Sequence, residues 1–217
     1  MTFKIAIDTV FFNRQFSGIS KVWLNILTGI QNNIQSIQDN HNKQDNQDNR
    51  PYEIILLIRG QRIPEVLSMA KLNYKCLFIP DFQYPLMYQD VDILNHICKN
   101  NDISLFISTY FTYCDVIPNI LMIHDMIPEI FKLHRENMWI QKDLAIKNAS
   151  GFIVISETTG NDLIKFYPNL KYNTEMNLIH NGINELASSS GLIYDVNFQN
   201  GFMKNNNITF DDKLYRA

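Results

Sequence analysis

The chain has 217 residues, 46% hydrophobic and 12% aromatic, which is enough length and apolar content to bury one sizeable core. Its 19 Lys and Arg against 22 Asp and Glu give a formal charge of -3, so there is no overall electrostatic reason to bind nucleic acid or anionic lipid. The opening MTFKIAID lacks the regions of a signal peptide, and no later apolar run reaches the roughly 18 residues of a membrane span.

Phe3 to Asp8 form an apolar run that ends on a carboxylate and leads through Ser17-Gly18 into Ile19, Val22, Trp23, Ile26, Leu27 and Ile30, the spacing of an amphipathic helix. Residues 31–50 follow, in which eleven of twenty are Asn or Gln and only two are aliphatic. That composition predicts a polar, disordered surface insertion. Six further short apolar runs begin at Tyr52, Lys75, Ile103, Asn119, Gly151 and Met176, each reading as a strand covered on both faces. Helical patterns fall between them at Pro64 to Leu72, Val91 to Asn100, Glu136 to Ala149 and Glu157 to Phe166. The alternation predicts an α/β domain over residues 1–184 with a doubly wound parallel sheet, Rossmann-like in plan, while residues 185–217 read as an irregular tail or the start of a linker.

An open parallel sheet binds ligands beyond the carboxyl ends of its strands. Asp8, Thr109 and Tyr110, His124 and Asp125, and Ser156 all fall at such ends. Ser17-Gly18 can bring backbone amides near an anion at the head of a helix, or be a tight turn with a serine cap. His124 can donate to a sugar hydroxyl or phosphate oxygen, or be satisfied by a backbone carbonyl with Asp125 capping the next segment. Ser156 is first a helix cap. The histidines lack ligand spacing, and no metal site is expected. Cys76, Cys98 and Cys114 are odd in number, spaced by 22 and 16 residues, and read as reduced thiols in a cytoplasmic protein.

Several blocks together resemble the N-terminal half of a family 4 glycosyltransferase, a retaining enzyme of GT-B architecture. They are AIDTVFFNRQFSGISKVWLNIL, LFISTYFT, MIHDMIPE, AIKNASGFIVISETTGNDLIKFYP and a final NGI, in the family's order from about residue 5 to 184. Lys21 stands where the family's RVW block has arginine. The resemblance implies a nucleotide-sugar donor and a glycan or lipid-linked acceptor. It implies donor contacts at Gly18, Ser17 and Ser156, a reaction centre at His124 and Asp125, and acceptor contacts at Asp8, Thr109 and Tyr110. It also implies no metal and no cofactor beyond the donor. The family's glutamate-rich donor-gripping segment has no counterpart after Gly182, so a C-terminal donor-binding domain or partner chain is expected, at a cytoplasmic location or peripheral to a membrane. The rival expectation is a non-catalytic glycan- or nucleotide-binding module derived from such an enzyme.

Overall fold

The computed structural model describes residues 2–13, 18–40, 52–133, 136–170 and 175–180. Ser17, residues 41–50 of the polar run, the NGI block and the tail lie outside them. Seven strands form one sheet: β1 Phe3–Asp8, β2 Tyr52–Arg59, β3 Lys75–Ile79, β4 Leu105–Ser108, β5 Asn119–Ile123, β6 Gly151–Val154 and β7 Glu175–Leu178. Their order is β3-β2-β1-β4-β5-β6-β7 and every pairing is parallel. The helices between them are α1 Gly18–Asn40, α2 Glu65–Met69, α3 Met87–Asn100, α4 Ile127–Ile130, α5 Asn137–Asn148 and α6 Glu157–Phe166. This is the doubly wound α/β plan that the alternating pattern predicts.

The inner strands are apolar runs because both of their faces are covered, whereas the edge strand β3 stays partly and β7 largely exposed. Successive residues point to opposite sides of a strand, and the core divides accordingly. Ala6, Ile55, Leu57 and Phe106 pack with Leu94 and Cys98 of α3, while Ile7, Leu56 and Ile58 pack with Trp23 and Leu27 of α1. Farther along the sheet, Leu121, Ile123, Phe152 and Val154 meet Ala145 and Ile146 of α5 and Leu163 of α6. Each buried Leu, Ile, Val or Phe among them contributes about 1.5–3 kcal/mol through its burial. The three cysteines are free thiols, with Cys98 and Cys114 buried.

The polar run departs from the sequence expectation, since α1 continues through residues 31–40 to end at Asn40. A helix already nucleated over Ile19 to Ile30 extends at little cost, and 31–40 contain neither proline nor glycine to stop it. The start of the run is also tethered: Gln31 Oε1 accepts the Asn73 amide at 2.6 Å.

Candidate functional site

In this strand order β1 lies inside the sheet, third of the seven strands, with β2 on one side and β4 on the other. The chain winds outward from it in both directions, so the strand order reverses beside β1, the position at which the loops of such sheets diverge at the carboxyl edge. Asp8 ends β1, in register with Leu57 of β2 and Ser108 of β4.

Asp8 is fully buried, and its carboxylate is filled by this chain's own donors. Arg59, the last residue of β2, donates Nε to Asp8 Oδ1 at 3.0 Å and Nη2 to Oδ2 at 2.5 Å. The Val10 amide reaches Oδ1 at 3.1 Å, and the Thr112 hydroxyl reaches Oδ2 at 2.6 Å. The other side of the guanidinium holds Asp90 in the first turn of α3, with Nη2 to Oδ2 at 3.0 Å and Nη1 bonded to Oδ1. Burial works against the charged guanidinium, but Asp8 and Asp90 outweigh it and hold the Arg59 pKa above the usual arginine value. Burial pushes the Asp90 carboxyl above the ordinary carboxylate range, against the pull of Arg59. A bidentate guanidinium fork between two carboxylates is the geometry that makes such burial tolerable.

The hydroxyl chain continues from there. With the Thr112 proton on Asp8, Ser108 donates to Thr112 Oγ1 at 2.7 Å. Ser108 Oγ in turn accepts the amides of Tyr110 at 3.0 Å and Thr112 at 3.2 Å. Thr109, also buried, donates its hydroxyl to the Asp8 carbonyl at 2.8 Å and accepts the Phe11 amide at 3.0 Å. Asp8 and Thr109, expected from the resemblance to meet an acceptor, therefore spend their polar atoms inside the fold. In this geometry they shape the loop that carries Tyr110. Tyr110 itself is half-buried and stacks between Phe11 and Phe111, with ring centroids 4.8 and 4.0 Å away.

His124 follows β5 directly and is half-buried, and it makes no hydrogen bond among the described residues. Burial lowers its pKa, opposed by Asp125, so the imidazole is neutral at pH 7 and offers one N–H and one lone pair. Asp125 is exposed, and its Oδ1 accepts the Ile127 amide at 3.0 Å, the capping role open to it from the sequence. Ser156 caps α6, accepting the Thr159 amide at 3.1 Å. Gly18 opens α1 on the surface, where an added Cβ would meet no atom within 4 Å. Packing therefore does not demand glycine at this position. Ser17 lies outside the described residues.

Beyond β2 and β3 lies an open cleft of 1380 Å³, with Asn13, Arg62 and Asp81 among its polar lining and Leu24, Val66 and Met69 along its apolar wall. Gly60, at φ +82°, turns the chain at its base, and a Cβ there would sit 2.9 Å from Asp81 Oδ1. Asn13 Nδ2 spans the turn, donating to the Arg59 carbonyl at 3.0 Å. Sequence reasoning missed this cleft and the Arg59 network. The one available signal was Arg59 itself, a charge closing the apolar run YEIILLIR.

No protein-family profile matches the sequence, and no curated protein sequence matches it. Among solved structures, the chain is similar to Medicago truncatula UGT71G1 complexed with UDP-glucose, at 10% identity and a TM-score of 0.45 over 82% of this chain and 51% of that one. It is also similar to Phytolacca americana apo UGT2, at 8% identity and a TM-score of 0.48 over 87% of this chain and 54% of that one. The same plant protein complexed with UDP-2fluoro-glucose and pterostilbene matches at 8% identity and a TM-score of 0.46, over 86% and 56% of the two chains. The chain thus spans about half the length of these proteins. The α/β assignment rests on the seven-strand order itself.

Proposed function

We propose that this chain is the acceptor-side half of a GT-B glycosyltransferase of family 4 type, which transfers a sugar with retention from a nucleotide-sugar to a glycan or lipid-linked acceptor. The donor-binding half comes from a further domain or a partner chain. The observation that carries the reading is His124, a half-buried imidazole that makes no side-chain hydrogen bond among the described residues, at the carboxyl end of β5 in one of the blocks that resemble the family.

In this reading the head of α1 at Gly18 faces the donor diphosphate, where the helix dipole favours negative charge. His124 donates to the donor sugar or to the departing oxygen, and its neutral state avoids the cost of a buried cation. Ser156 keeps α6 in place at the same edge. The cleft at Asn13 and Asp81 receives the acceptor, with Asp81 accepting from an acceptor hydroxyl.

The test is a transfer assay using UDP- and GDP-sugars in turn, with product stereochemistry read from the anomeric proton. The chain alone should transfer nothing measurable. With a donor-binding half supplied, transfer should appear with retention, and His124→Ala should lower turnover about 100-fold, the scale of losing one donor to a developing oxyanion. Full turnover by the isolated chain, an inverted product, or a fully active variant would each overturn the corresponding part of the reading.

A further inference from the structure

Two neighbouring residues of α5, Gln141 and Lys142, are long polar side chains that are 2% and 1% exposed. Burying them needs a reason, and the structure gives each a backbone carbonyl in a different loop at the carboxyl edge. Gln141 Nε2 donates to the Phe111 carbonyl at 2.7 Å, in the loop after β4 that carries Tyr110. Lys142 Nζ donates to the Asp125 carbonyl at 2.9 Å, in the loop after β5 that carries His124. Lys142 also meets Glu129 Oε2 of α4 at 2.8 Å and lies 5.7 Å from the Phe111 ring centroid. One turn earlier, Met138 Sδ receives the Tyr110 hydroxyl at 3.5 Å. Behind this group Tyr167, just past α6, donates to Glu129 Oε1 at 3.4 Å.

From this arrangement we infer that α5 is a splint: Gln141 and Lys142 are positioning residues that fix the Tyr110 and His124 loops relative to each other. The functional consequence rests on the proposed role of His124, but the splint does not. The two loops leave neighbouring strands and have no helix between them. A lysine ammonium has three donors, and here two of them bond to the loop and to the helix that follows it. The pairing with Glu129 neutralises a charge that would otherwise be buried alone. Facing this group are Glu129 on α4, Asp125 in its loop, Tyr167 beyond α6 and Asp143 on α5. Lys147 holds Asp143 at 2.6 Å on the outside.

The experiment is an NMR comparison of the wild-type chain with Lys142→Met, Lys142→Arg and Gln141→Met. Its readouts are the His124 ring titration, assigned with His124→Gln, and amide exchange in the two loops. In Lys142→Met the exchange of residues 124–127 should rise about tenfold or more, the scale of losing a hydrogen bond from a charged donor. The His124 titration should move toward the ordinary histidine value. Lys142→Arg should restore most of both. Gln141→Met should loosen residues 110–112 and leave His124 in place.

Should Lys142→Met fail to fold, the wild-type protein still decides the matter through the Lys142 ammonium, whose protons should exchange slowly enough to be seen. Unchanged exchange and titration in a folded Lys142→Met, or an ammonium as exposed to exchange as surface lysines, would overturn the inference. A transfer assay that stays silent with the wild type even when a donor-binding half is supplied would count against the proposed function alone.

Discussion

The most exposed question at the scale of single residues is how a fold carries a buried arginine between two buried carboxylates. Arg59 serves Asp8 and Asp90 together, so removing it leaves two uncompensated acids. Arg59→Met should cost about 3–5 kcal/mol at neutral pH, and Thr112→Val about 1–3 kcal/mol, because Asp8 loses one of several donors. Urea unfolding of the two variants measures both, and equal losses would deny Arg59 its central place. His124 gives a pH dependence of definite sign. Burial lowers its folded pKa, so the unfolded chain binds the proton more readily. Its share of stability is complete above the ordinary value near 6.5 and is lost as pH falls from there through the lowered folded value. Urea midpoints between pH 7.5 and 5 should fall less steeply in His124→Gln, and an unaltered slope would show that the imidazole is not responsible. Gly18 separates fold from function cleanly. Its would-be Cβ meets open space, so Gly18→Ala should stay within about 1 kcal/mol of wild-type stability. Under the proposed function, nucleotide-sugar binding with a donor-binding half supplied should nevertheless weaken if glycine is there for close approach, and unchanged binding would remove Gly18 from the proposed donor contacts.

The elements show where a sequence speaks clearly and where it falls silent. The edge strands β3 and β7, partly and largely exposed, show in the sequence as short runs between helical patterns. The inner strands are legible because burial on both faces writes an apolar run, and the longer helices α1, α3 and α6 carry their period openly. Their edges are less so: β5 stops at Ile123 and leaves His124 and Asp125 beyond it, and α3 starts at Met87, early enough to bring Asp90 under Arg59. Short pieces such as the 3-10 turn Val10–Asn13 and α4 are too brief to show a period. The polar run was misread in its first half because composition was weighed without the helix already running into it. The strand-end positions of His124 and Ser156 were legible, since the two residues do follow β5 and β6. The partners of Asp8 were not, because Arg59, Asp90 and Thr112 come from three separate segments and only the finished sheet brings them together. One turn tests the same point at element level. Gly60 has a positive φ and lies against the Asp81 carboxylate, so Gly60→Ala combines backbone strain with a close contact. It should cost about 1–3 kcal/mol, read from the thermal midpoint. A neutral result would mean that Asp81 moves aside freely.

At the scale of the whole sheet, the first strand lies inside and the later strands are laid outward on both sides of it. That order puts the reversal of winding between β1 and β4, and it also sets a timetable for synthesis. β1 is made first, yet one of its edges closes when β2 arrives and the other only when β4 does. Asp8 acquires its last side-chain donor from Thr112, 104 residues downstream. While the ribosome is still short of that point, the growing chain carries an apolar strand with an open edge and a carboxylate without its hydroxyl partner. Such an edge is a template for pairing with other chains. Newly made chains are therefore most vulnerable to aggregation in the interval between the emergence of β2 and that of β4, and fragments ending before Leu105 inherit this vulnerability permanently.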